Sequence, residues 1–345
     1  MQKKLLTMAV AGALALPAVA LAQVTVFGTM DGGLRNQTKA LTAGGDGSVM
    51  TATDGLRTTN RWGLRGSEDL GGGLMANFWL EGQYASDSGG GPGSAAGVGN
   101  QGIFQRKSVV GLSKGGNSVD VGRDYTLNFK SQGIYDPMSY TYTGVTPSAG
   151  TNVAGTRSSN MVTAGFRFGS GGVRVDYALG EVVDESWGTR TGLMADFAFG
   201  PVTVTGAYST MKDAATGTFT TNVTNLGGAY RMGAFTFRAG WSDTETEIVG
   251  GETNSPMILL GLQYGFSPTL NLRVGYYDTS FETNGNETGS RKVTIVALDY
   301  VLSKRTTAYV AFDRTGIDGT AANTVLGVPS ADGATGISVG LAHSF

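Results

Sequence analysis

The 345-residue chain contains no cysteine and a single histidine, His343. Disulfides and thiolate metal sites are therefore excluded, and no Cys/His cluster is available for a transition metal. Charge is also scarce: Asp, Glu, Lys and Arg make up 15% of residues, below the usual quarter. A soluble protein of this size normally carries more charge on its surface. After Ala22 there is no apolar run of about 18 residues, which excludes a transmembrane helix. The net charge of −2 argues against a general nucleic-acid binder.

Glycine is abundant, with 56 residues against eight prolines. Without pattern, this would point to disorder. Here the glycines sit among alternating strands and in turns, which fits a β-barrel. Val202, Val204, Gly206 and Tyr208 share one face, with Thr203, Thr205 and Ala207 opposite. Phe235, Phe237, Ala239 and Trp241 alternate with Thr236, Arg238, Gly240 and Ser242. Val173, Val175, Tyr177 and Leu179 alternate with Arg174, Asp176, Ala178 and Gly180. One face is apolar or aromatic, and the other must meet water.

Both ends of the chain tell which face is out. Residues 336–345 alternate strictly, placing Ile337, Val339, Leu341, His343 and Phe345 together and stopping on the aromatic. An outer-membrane barrel has a reason for this, because its outer face meets lipid and aromatics gather at the lipid–water boundary. At the start, Lys3 and Lys4 precede an apolar stretch from Leu5 to Val19 and then Ala20-Leu21-Ala22. That is the form of a cleavable signal peptide. The expected division is a signal peptide over 1–22 and a barrel over 23–345, with 23 basic and 27 acidic residues after cleavage.

Sixteen strands are expected, near 24–33, 56–67, 73–84, 103–113, 117–124, 157–169, 172–181, 190–199, 201–210, 221–232, 234–243, 256–266, 269–279, 291–302, 305–315 and 334–345. Short turns alternate with long loops at 34–55, 85–102, 125–156, 182–189, 211–220, 244–255, 280–290 and 316–333. This pattern predicts an all-β fold, a sixteen-stranded antiparallel transmembrane barrel with a water-filled lumen, in the bacterial outer membrane. The glycine-rich run 89–99 contains no GxxxxGK[ST] phosphate motif and reads as a surface loop.

No cofactor and no catalytic step are expected. A barrel lipase would need a serine and an orienting group beside His343, and nothing marks such a set. The informative residues are arginines on the inward face. Trp62 and Leu64 face out, which turns Arg61 and Arg65 inward. Arg157 shares parity with Arg167. Around Phe104–Leu112 the alternation is unclear, so either Arg106 or Lys107 is the inward cation. A cluster of cations in a narrow pore selects for anions. The third long loop, 125–156, is rich in aromatics (Tyr125, Phe129, Tyr135, Tyr140, Tyr142). Loops of that length are usually functional. Folded inward, it would narrow the pore, with Asp136, and secondarily Asp124, facing the arginines.

Several segments together resemble the general bacterial porins of the beta-proteobacterial branch. They are Val24-Thr-Val-Phe-Gly28 with Asp31-Gly32, Arg61-Trp-Gly-Leu-Arg-Gly-Ser-Glu-Asp-Leu-Gly71, Arg106 with Val110-Gly-Leu112, Val121-Gly-Arg123, Arg157-Ser-Ser-Asn160, Leu302-Ser-Lys-Arg-Thr306 and Gly340-Leu-Ala-His-Ser-Phe345. The resemblance spans the mature chain. It implies a homotrimer with one diffusion pore per subunit and an inward-folded third loop. It also implies that Arg61, Arg106 and Arg157 form the basic wall of the constriction, with Arg65 and Arg123 close by. The chain departs from the family in reading Tyr135-Asp-Pro-Met-Ser-Tyr140 where relatives carry a glutamate, and in Thr29 where many place a charge.

The expected function is therefore passive diffusion of ions and small hydrophilic solutes, with weak anion preference. Phe345 is expected to serve assembly, and outer-membrane lipid and lipopolysaccharide to surround the barrel. The alternatives are a channel of the same fold specific for an anion or organic acid, and a plugged adhesive barrel.

Overall fold

The computed structural model describes residues 23–42, 45–90, 102–142, 144–147, 155–183, 186–319, 324–325, 328–329 and 333–345. The expected signal peptide and most of the glycine-rich run lie outside them. The strands are β1 (Gln23–Thr42), β2 (Gly45–Asp54 and Arg61–Gly71), β3 (Leu74–Gln83), β4 (Lys107–Lys114), β5 (Asn117–Tyr125), β6 (Arg157–Phe168), β7 (Gly171–Ala178) and β8 (Arg190–Phe199). They continue with β9 (Val202–Lys212), β10 (Thr220–Met232), β11 (Phe235–Ile248), β12 (Gly251–Asn254 and Met257–Gly265), β13 (Leu270–Thr283), β14 (Asn286–Val301), β15 (Thr306–Gly319) and β16 (Gly333–Ser344). Among the described residues a helix, α1, spans Leu127–Tyr135.

Eighteen strand segments form one sheet. Two of the strands are each built from two segments, so the described residues make a closed antiparallel barrel of sixteen. Closure runs through β1, which pairs with β2 over residues 23–29, 32–37 and 40–42 and with β16 over residues 29–37. The ring is completed at the last residue: Gly28 N–H donates to the Phe345 carbonyl (3.1 Å) and Phe345 N–H to the Gly28 carbonyl (3.0 Å). The expected parity holds at both ends of the barrel. On β1, Val24, Val26, Met30 and Leu34 are exposed, whereas Thr29, Asp31, Arg35 and Gln37 are buried. On β16, Ile337, Val339 and Leu341 are exposed, whereas Ser338 and Ala342 are buried.

Two expectations are corrected. Several loops are shorter than the sequence indicates, because the strands continue past the apolar band as polar hairpins. β1 reaches Thr42 and pairs there with Gly45–Asp54, so most of 34–55 is ladder rather than loop. Likewise, β13 and β14 pair out to Thr283 and Asn286. The second strand, expected over 56–67, is instead broken at 55–60. Gly55 takes φ +71°, a left-handed geometry suited to glycine. The chain then leaves the wall and buries Leu56 in a core cluster with Met138, Tyr142, Val145, Val293 and Ile295.

That cluster explains an oddity of β14. Val293, Ile295 and Ala297 lie on the face where water was expected, yet all are buried. They are covered by the chain that follows α1. The helix starts at Thr126, whose hydroxyl accepts the Phe129 N–H (3.3 Å). It packs against the polar face of β9 and β10, with Ser131 Oγ 2.9 Å from Thr205 Oγ1 and Asn128 Nδ2 donating to Asn225 Oδ1 (2.7 Å).

Its end rests on glycines. Gly227 and Gly240 face each other across β10 and β11, and Gly261 and Gly275 across β12 and β13. A Cβ on Gly240 would stand 2.0 Å from the Tyr135 ring, and one on Gly261 2.5 Å from Pro137. Absence of side chains in four neighbouring strands leaves the hollow that Tyr135, Pro137 and Met138 fill. Asp299 ties the segment down further. It accepts from Tyr142 Oη (2.6 Å), from Arg57 through two bonds of 3.0 Å and from Arg273 Nε (2.9 Å). Burial pushes the Tyr142 phenol pKa up, and the Asp299 charge beside it adds to the shift, so the phenol remains a donor at physiological pH.

Two outcomes follow. Deleting Phe345 removes both hydrogen bonds that close the ring at Gly28. The yield of heat-modifiable, folded barrel should fall; an unchanged yield would contradict a closing role. Gly240→Val overpacks the Tyr135 seat, at a cost of about 1–3 kcal/mol. The barrel should still form while single-channel conductance changes; a native conductance would mean that residues 135–138 lie off the conducting path.

Candidate pore constriction

Four strands, β2, β3, β5 and β6, and the α1 segment converge on one cavity of about 630 Å³. Its lining includes Arg61 from β2, Arg106 from just before β4, Arg157 from the first residue of β6, and Tyr125, Phe129 and Tyr140. Arg61 is placed by strand parity, whereas Arg157 lies beyond a register shift in β6 and stands opposite Tyr125. Arg106 is fixed by partners instead: Nε donates to Glu81 (2.6 Å), Nη1 to Gln83 (3.3 Å) and Nη2 to the Tyr125 hydroxyl (2.7 Å). The choice between Arg106 and Lys107 thus has a double answer. Lys107 also turns to the polar face, 5.0 Å from the Trp79 ring centroid and 3.2 Å from Asp124.

The three guanidinium groups are not equally free. Arg106 is almost wholly engaged, its side chain only 8% exposed. Arg157 lies over the Tyr125 ring, 4.4 Å from its centroid, and its Nη2 donates to the Tyr125 hydroxyl (2.9 Å). Arg61 is the open one, 31% exposed, 3.9 Å from Glu81 and 3.3 Å from Thr58 Oγ1. Glu81 therefore offsets part of the positive charge from behind the wall. Asp54 also lines the cavity. A surplus of cations remains, which favours anions in the confined water.

Four site residues expected from sequence lie elsewhere. Arg65 shares the polar face with Arg61 but stands four residues further along β2, a step of about 13 Å. It lies 5.2 Å from both the Phe27 and Trp79 rings. Arg123 is outside this wall altogether. It follows the parity of the exposed Val119 and Val121, and lines a separate hollow with Phe104, Ser108 and Ser159. Its Nε donates to the Gln105 carbonyl (2.5 Å) and Nη1 to Ser159 Oγ (2.8 Å).

Neither acidic candidate faces the arginines. Asp136 is fully buried at the end of α1, where its carboxylate accepts from the N–H groups of Met138 (3.0 Å) and Tyr140 (2.9 Å) and from Tyr277 Oη (3.1 Å). It serves the turn, because an aspartate two residues before an N–H caps it locally. Asp124 is buried between Lys107 and Lys130, at 3.2 and 2.8 Å.

Glu81 was missed by the sequence reading, although it shares parity with Asn77 on a strand whose other face is apolar. The Arg57–Asp299–Arg273 network had no local signal, since its members come from distant strands. His343 lies on the outer wall with Nδ1 2.9 Å from Thr306 Oγ1, opposite Met30 and Thr306.

This geometry has relatives. The family profile for Gram-negative porins matches residues 7–320. The outer membrane porin protein 32 of Delftia acidovorans is 31% identical over 378 aligned residues, spanning the whole of both chains. An outer membrane porin protein of Bordetella pertussis is 33% identical over 189 residues, covering 50% of this chain and 48% of that one. Among solved structures, an anion-selective porin from Comamonas acidovorans superimposes with a TM-score of 0.77 at 26% identity, over 94% of this chain and 100% of that one. OmpT of Vibrio cholerae reaches 0.72 at 14% identity, over 96% and 99%, and shares the fold. A closed sixteen-stranded barrel, apolar outside and polar within, thus meets sequence relatives along its whole length: the chain belongs to the Gram-negative porins of the outer membrane.

Proposed function

We propose that this porin conducts ions and small hydrophilic solutes passively, with a weak preference for anions set at the cavity of Arg61, Arg106 and Arg157. In this reading the described part of the third loop, residues 125–142, folds into the lumen and narrows it against those arginines. The observation that carries the selectivity is the asymmetry of the site. Three arginines line the cavity, whereas Asp124 and Asp136, the acids expected opposite them, are engaged by Lys107, Lys130, Tyr277 and backbone N–H groups. The preference stays weak because Glu81 pairs with Arg106 and approaches Arg61. The solved relative from Comamonas acidovorans is described as anion-selective, which agrees with this reading.

Assembly as a homotrimer within lipid and lipopolysaccharide belongs to the same proposal, supported by family membership; light scattering of the detergent-solubilised protein reads the copy number. Cleavage after Ala22 is part of it too, and N-terminal sequencing of the exported protein should begin at Gln23.

The selectivity reading has a direct check. Under a potassium chloride gradient across a planar bilayer, the native protein should give an anion-directed reversal potential. Replacing Arg61, Arg106 and Arg157 by glutamine together should abolish or reverse it. Unchanged selectivity in that variant would place the filter elsewhere.

A further inference from the structure

Arg157 is one end of a longer stack. Its guanidinium lies 4.4 Å from the Tyr125 centroid, Tyr125 stacks on Phe129 at 4.8 Å and 9°, and Phe129 stacks on Tyr140 at 4.1 Å and 10°. The three rings come from three places: the end of β5, the first turn of α1 and the turn after it. Such a column is not a by-product of regular structure. It is held in place by polar bonds, with Tyr140 Oη donating to the Phe129 carbonyl (2.5 Å) and Tyr125 Oη accepting from both Arg106 and Arg157.

All three rings line the cavity that also holds the open guanidinium of Arg61. We infer that this cavity is a binding station for aromatic carboxylates, an inference that rests on the arginine-lined constriction proposed above. A carboxylate meets Arg61, whose planar fork suits two parallel N–H···O bonds. A planar ring attached to it lies along the flank of the column. There it meets ring edges, which carry the positive side of the aromatic quadrupole and favour an edge-to-face neighbour. A saturated ring of equal size has no π face to offer those edges. A neutral arene lacks the group that Arg61 holds. The cavity, at about 630 Å³, is of the size that takes a small molecule.

The experiment compares benzoate with cyclohexanecarboxylate as blockers of potassium chloride current through the reconstituted full-length porin. Benzoate should block saturably, with half-block at about fivefold lower concentration than the saturated acid. Phe129→Leu should bring the two acids within about twofold of each other. Equal block by both acids in the native protein overturns the inference, and needs no variant to fold. Retention of the benzoate preference in Phe129→Leu overturns it as well. The reversal potential in potassium chloride alone reads the underlying proposal separately. A cation-directed potential with the benzoate preference intact would remove the anion filter and keep the station. An anion-directed potential with equal block would do the opposite.

Discussion

Hydrocarbon offers no hydrogen bonds, and everything else in this molecule follows from that. A chain that crosses the membrane in strands must pair every N–H and C=O with another strand, so the sheet must close. Closure here falls to β1, which pairs with β2 on one side and β16 on the other, and is finished by the Gly28–Phe345 pair. Gly28 is suited to this place because a Cβ there would stand 2.3 Å from the Phe345 ring. Closure also fixes side-chain parity around the ring. Each strand sends one face to lipid and the other to the lumen, and the lumen of a sixteen-stranded barrel is wide enough to hold water.

A wide lumen alone gives little selectivity, and in the proposed reading the segment 125–142 fills part of it. The filling is organised from one side. Paired glycines on β10–β13 leave a hollow, Tyr135 to Met138 fill it, and Asp299 binds Tyr142 and Arg57 to the same wall. The opposite wall, from β2, Arg106 and β6, carries the arginines. The cavity between them owes its charge to which acids are already engaged. Asp299, Asp136 and Asp124 serve structure, and their charges are met by Arg57, Arg273, Lys107 and Lys130 or by backbone N–H groups. Arg61 has a long contact with Glu81, at 3.9 Å, beside its hydrogen bond to Thr58 Oγ1.

The sequence made the barrel legible because lipid imposes a period of two that no loop imitates. Phe235–Ser242 and residues 336–345 could be read residue by residue, and Arg61 followed from the parity of Trp62; Arg157 lies beyond a register shift that alternation does not show. What failed were places where parity is broken or irrelevant. Residues 55–60 look like a continuing strand, yet Gly55 turns them inward so that Leu56 joins the core. Arg123 was expected with the other arginines by family resemblance, although its own neighbours Val119 and Val121 already point outward. Asp136 was expected opposite the arginines on charge alone. Its local work at the end of α1 depends on a turn that alternation does not encode, and the Asp299 network joins Arg57 to a strand 242 residues away in the chain.

The absence of cysteine makes the central claim directly testable, since a single introduced thiol is then the sole target of a thiol reagent. The measurement is single-channel current before and after a negatively charged methanethiosulfonate is added to Arg61→Cys and, separately, to Arg123→Cys. The account predicts a lasting change in conductance for Arg61→Cys and none for Arg123→Cys. Modification of the conductance through position 123, with position 61 silent, would contradict the placement of the aqueous path along the Arg61 wall.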